Sequence, residues 1–100
     1  MALMVSLNVL PPQTIAMHLA TRLRARRLAA DWSRKTLAER SGVAEGSIKR
    51  FENSGSIALE SLIMLALALD AADEFGALFP APAPASIEQL LAAPRQRGRR

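Results

Sequence analysis

Cysteine is absent from this chain of 100 residues. That excludes a disulfide framework and every cysteine-ligated zinc site, and it suits a reducing compartment. Histidine occurs once, as His18, and nothing around it makes a catalytic triad or a metal-ligand spacing. His18 reads as a surface residue. No glycine-rich phosphate loop is present. The sequence therefore gives no reason to expect an enzyme or a cofactor. Aromatics are limited to Trp32, Phe51, Phe75 and Phe79, and Trp32 reads as a plug between the first two helices. Long apolar runs are missing too. The uncharged stretch at residues 61–69 is far too short to span a bilayer. The opening MALMVSLNVL has neither a basic flank nor a cleavage site of a signal peptide. The expectation is a cytoplasmic protein with no membrane partner.

What the chain does have is alanine and leucine, with few β-branched residues, and half of its residues are hydrophobic. That composition favours helix. The length suits one small domain with an appendage. Charge is segregated. Residues 22–50 carry a net +6, residues 51–93 a net −6, and residues 95–100 a net +4. Segregated charge makes a field with direction, which suits a polyanion at one end; a solvated arginine-rich helix face is the plainer alternative.

Three regions follow. Residues 1–11 form an N-terminal arm in which Leu3, Val5, Leu7 and Val9 alternate with smaller or more polar residues. That period fits a short strand, paired with its own copy in a dimer, or else an arm without fixed structure. Residues 12–79 read as an all-α domain of five helices. The first covers 12–30, with proline tolerated in its first turn and Ile15, Leu19 and Leu23 at spacing four. Ser33 is a good N-cap for a second at 34–41. Gly42 suits the left-handed residue that ends it. A third is expected at 44–53, a fourth at 58–69 and a short fifth at 72–78. Residues 80–100 begin with the stiff linker PAPAPA. A marginal helix at SIEQLL and a basic tail follow.

KTLAERSGVAEGSIKRFENSG, residues 35–55, carries the functional signal. On a helical wheel Ala44, Ile48 and Phe51 share one narrow side. Glu45, Gly46, Lys49, Arg50 and Asn53 occupy the wide opposite side. Leu37 and Ala38 supply the inward side of the helix before it. Two short helices broken at a glycine, the second presenting polar groups outward, make a helix-turn-helix whose second helix fits a DNA major groove.

Residues 19–69 resemble the Cro/cI-like (XRE) helix-turn-helix family in LRARR, WSRKTLAERSGV, SIKRFENSG and LESLIMLALAL. The spacing of Leu37, Ala38, Gly42, Ile48 and Glu52 is the family's own, without gaps. The resemblance implies a lambda-repressor-like fold and double-stranded DNA as partner. It implies base contacts from Glu45, Gly46 and Arg50 and phosphate contacts from Arg34, Lys49 and Asn53. It also implies a structural ion pair of Arg27 with Glu52. Four positions depart from the pattern: Arg34 stands where glutamine often begins the second helix, Asp31 stands where a glycine often precedes it, and Glu45 and Gly46 replace the usual amide or hydroxyl readers. Glutamate accepts a hydrogen bond from cytosine but repels phosphate, so Glu45 reads equally well as a first-turn helix charge.

In the fourth helix Leu59, Leu62, Leu65, Ala66 and Leu69 suffice for the core. Ile63, Met64 and Leu67 then form an apolar face for a homodimer or another partner, or a face packed by the fifth helix and linker. The layout of the whole chain is similar to HipB-type antitoxins, which implies a dimeric repressor of its own operon on a palindromic operator that also docks a HipA-family toxin kinase. The alternatives are a free-standing XRE-type regulator and a helix-turn-helix protein-interaction module without DNA binding.

Overall fold

A computed structural model describes residues 6–82. Four α-helices and two short 3₁₀ segments make up those residues, and no strand occurs among them. The segment Leu7–Val9, expected as part of a strand, is a 3₁₀ turn in which Ser6 Oγ accepts from the Asn8 amide. A single strand needs a partner edge, and no second strand exists among the described residues to supply one. Leu3 and Val5 of the expected strand, the helix expected at SIEQLL and the basic tail lie outside the described residues.

Helix α1 (Pro12–Ala29) begins at a proline and ends with Arg26 and Arg27 in its last turn, where positive charge suits the helix terminus. Its inward side differs from the expected spacing-four stripe. Ala20, Leu23 and Arg27 are buried, while Leu19 is 43% exposed. A small residue at position 20 lets a neighbouring helix approach closely, and the buried row is displaced around the helix accordingly.

The chain leaves α1 through a Schellman motif. Asp31 N–H donates to the Leu28 carbonyl and Trp32 N–H to the Arg27 carbonyl, with Asp31 left-handed at φ 63°. Ser33 then caps helix α2 (Arg34–Ser41), its Oγ accepting from the Thr36 amide at 3.0 Å. Gly42 closes α2 at φ 82°. Helix α3 (Glu45–Ser54) starts one residue later than expected. Ala44 is its N-cap and is exposed rather than inward-facing. Gly55 ends α3, again at φ 82°.

Helix α4 (Leu59–Ala68) leads through a second Schellman motif, with Asp70 left-handed at φ 60°, into the 3₁₀ helix Ala72–Ala77. That segment occupies the place expected for a fifth helix. The core is one cluster: Ala20 and Leu23 from α1, Leu37 from α2, Val43 from the turn, Ile48 and Phe51 from α3, Leu62 and Leu65 from α4. Trp32, Ile57, Met64, Leu69 and Phe75 pack around it half-buried. Leu59, expected in this core, is 66% exposed, because Leu62, Leu65 and Ala66 already fill the inward side of α4. Helix α1 packs on α3, α2 packs on both α3 and α4, and the 3₁₀ helix covers α4.

Candidate nucleic-acid interface

Helix α3 divides cleanly. Ile48, Phe51 and Glu52 are buried, while Glu45, Gly46, Lys49, Arg50 and Asn53 are exposed. The exposed five comprise every α3 position expected to contact bases or phosphates. A Cβ at Gly46 would meet nothing within 4 Å, so no packing demand requires glycine there. The backbone at position 46 therefore lies open to whatever approaches α3.

Beside Arg50 lies a polar notch of about 250 Å³. Ser47, Arg50, Ser56 and Ser61 line it, together with Ile57 and the α4 N-cap residue Ala58. Three hydroxyls, a guanidinium and the uncapped start of α4 are all hydrogen-bond donors to an anion. Sequence reasoning missed Ser47, Ser56 and Ser61. Their only signal is that a serine-rich turn follows a helix carrying Lys49 and Arg50.

The polar centre beneath this surface is Glu52. Arg27 grips it in two places, Nε donating to Oε2 at 2.8 Å and Nη2 to Oε1 at 3.0 Å. The third arm of the same guanidinium, Nη1, donates to the Trp32 carbonyl at 2.9 Å. Arg34 adds a further bond, Nε to Oε1 at 2.9 Å. The carboxylate is wholly buried. Burial alone would raise its pKa, but the hydrogen bonds and charges of Arg27 and Arg34 outweigh that and hold it below the usual carboxylate value. Glu52 thus ties α1, α2 and α3 together, and Arg27 extends the network to the α1–α2 turn through the Trp32 carbonyl. Arg34, expected at a phosphate, is half-buried and engaged with Glu52, a bond that residue spacing does not reveal.

Around the interface, Arg22, Arg24, Arg26, Lys35 and Arg40 are exposed. Arg40 stacks over the Trp32 ring, its guanidinium carbon 4.6 Å from the centroid. Arg26 forms an ion pair with Glu74 of the 3₁₀ helix. That pair borders an apolar groove of about 610 Å³ between α1 and the 3₁₀ helix, with Leu19, Leu23, Leu62, Phe75 and Leu78 in its walls. On α4, Leu67 is 63% exposed and Ile63 half-buried. Met64 turns inward, its methyl 3.4 Å from where a Cβ on Gly42 would lie. Among the described residues no three His, Asp or Glu side chains are grouped to hold a metal ion. No described helix is long and apolar enough to cross a membrane.

Two helices, α2 and α3, joined through a left-handed glycine, with the second carrying its polar side open, define a helix-turn-helix. The family model described as helix-turn-helix, HTH_3, matches residues 23–74, and the chain belongs to that family. The match runs from Leu23 in α1 through the whole of α2, α3 and α4 to Glu74. Membership makes the protein a DNA-binding transcription regulator of the XRE type, in a family that is regulatory rather than enzymatic. No curated protein matches the chain.

Proposed function

We propose that the protein is a sequence-specific repressor that acts as a homodimer on a palindromic operator in its own promoter, in the cytoplasm, as the antitoxin of a HipBA-like toxin–antitoxin pair. The observation that carries DNA reading is the division of α3, which leaves Glu45, Gly46, Lys49, Arg50 and Asn53 exposed together on one helix. Arg50 reads a base, guanine being the best match for a guanidinium. Glu45 and the open backbone at Gly46 flank it. Arg34, Lys49 and Asn53 hold phosphate, joined by the serine-lined notch beside Arg50.

One such helix meets few base pairs, and two copies related by a two-fold axis read inverted half-sites about 10 bp apart. The outer side of α4, with exposed Leu59 and Leu67 and half-buried Ile63, supports a dimer contact. The apolar groove beside the Arg26–Glu74 pair supports a second protein partner, which in this reading is a HipA-family kinase. The antitoxin part rests on the layout of the chain as a whole.

Gel retardation with the DNA upstream of the gene, at two salt concentrations, is the test. Specific binding that weakens steeply with salt is expected. If no DNA is bound at either salt, the second reading holds: a helix-turn-helix interaction module that works through the α4 face and the apolar groove. Co-purification with the product of the neighbouring reading frame separates an antitoxin from a free-standing regulator.

A further inference from the structure

Arg34 is the first residue of α2. The free amides of a helix start carry partial positive charge, so a guanidinium there needs an anion to answer it. Glu52 is that anion. Its single carboxylate serves two guanidiniums, so the triad of Arg27, Arg34 and Glu52 holds one positive charge in excess.

The two arginines are not equivalent. Arg27 is buried and uses all three of its nitrogens, two on Glu52 and one on the Trp32 carbonyl. Arg34 is about one-third exposed and gives Glu52 only its Nε. Among the described residues, neither Nη group of Arg34 has a hydrogen-bond partner. The excess charge therefore belongs to the arginine at the surface, on the edge of the α2–α3 face.

We infer that Glu52 is a positioning residue for DNA binding, holding Arg34 by its Nε so that the two Nη groups are set for one backbone phosphate. The inference rests on the DNA-binding reading above and deepens it. A guanidinium anchored in the free protein has little side-chain freedom left to lose on binding. Its planar fork allows one nitrogen to be held from behind while the other two engage a phosphate, which a lysine cannot do. The same carboxylate that fastens α1 to α3 therefore also aims a phosphate contact.

The experiment compares wild type, Arg34→Ala, Glu52→Gln and the double variant. Each is checked for folding by circular dichroism, and binding to the upstream DNA is measured from 50 to 200 mM salt. Arg34→Ala is expected to weaken binding and to flatten the slope of log affinity against log salt by about 0.9, the loss of one phosphate contact. Glu52→Gln is expected to weaken binding in the wild-type background and to add nothing in the Arg34→Ala background. Equal losses in both backgrounds overturn the inference, since Glu52 would then act through the fold alone. Wild type that binds no DNA overturns the proposed function as well, whereas wild type that binds while the two substitutions add overturns this inference only. Should Glu52→Gln fail to fold, Arg34→Lys decides. It keeps the charge, so an unchanged salt slope with affinity about tenfold weaker is expected, and wild-type affinity overturns the inference.

Discussion

Gly55 lies directly against Ala16: a Cβ on Gly55 would sit 2.9 Å from Ala16 Cβ and 3.0 Å from the Ala16 carbonyl carbon. Gly42 has the same φ of 82°, but its nearest obstacle is the flexible end of Met64 at 3.4 Å. Both alanine substitutions force an L residue into the left-handed region, at about 1–2 kcal/mol. Gly55→Ala also presses α3 away from the backbone of α1. Urea denaturation should show both variants destabilised, with Gly55→Ala the worse by about 1 kcal/mol or more.

Truncating Glu52 leaves Arg27 buried without its anion. Glu52→Ala should cost about 3–5 kcal/mol of stability. The pH dependence has a definite sign. The folded-state pKa of Glu52 lies below its ordinary value of 4.5. Its contribution is therefore complete above that value and is lost as pH falls through the folded pKa. Melting temperature followed from pH 6 downward should fall less for Glu52→Gln than for wild type.

Asp31 and Asp70 hold left-handed positions that glycine takes without strain. Asp31→Gly should stabilise the fold by up to about 1 kcal/mol, read as a raised midpoint in thermal unfolding. Gly46 offers the converse. It sits in a helix with open space around it, so Gly46→Ala should add about 0.5–1 kcal/mol. If the open backbone there approaches DNA, the same variant binds its operator less well although it is more stable.

Arg50→Ala should weaken operator binding by roughly 1–3 kcal/mol and relax preference at one base pair. Lys49→Ala should weaken all sequences alike. Binding-site selection with each variant separates the two roles. An identical consensus from wild type and Arg50→Ala would remove Arg50 from base reading.

Leu59 and Leu67 are two turns apart on α4 and largely exposed. Each apolar side chain buried in a dimer contributes about 1.5–3 kcal/mol before the cost of association. Leu59→Glu with Leu67→Glu should give a monomer by sedimentation and lose cooperative binding to a palindrome. The fold should remain intact, because neither residue belongs to the core cluster.

The helices and the split character of α3 were legible because they depend on local signals. Ser33, Gly42 and the spacing of Ile48 and Phe51 mark ends and faces without reference to distant parts of the chain. The pairing of Arg27 with Glu52 was reachable only through resemblance, since 25 residues separate the two. The second grip on Glu52, by Arg34, was not reachable, because which side chains converge on a carboxylate depends on how α2 crosses α3. Leu59 and Leu19, which periodicity places inward, are exposed for a related reason. Apolar periodicity shows that a helix has an inward side but not how far around it that side extends. The extent is fixed by what the neighbouring helices bring, here Ala20 on α1 and Ala66 on α4. Within the alternating segment Leu3–Val9, the described part Leu7–Val9 is a 3₁₀ turn, because alternation describes a face, whereas a strand also needs an edge to pair with.

Trp32 is the only tryptophan in the chain. Its ring lies under the Arg40 guanidinium and its carbonyl is held by Arg27, at the turn that feeds α2. The protein thus carries an intrinsic fluorophore at the junction of its first two helices, close to the Arg27–Glu52–Arg34 cluster. A change in the cluster or in the setting of α2 alters the polarity and charge around a single emitting ring, so unlabelled protein reports optically on both unfolding and engagement of its basic face.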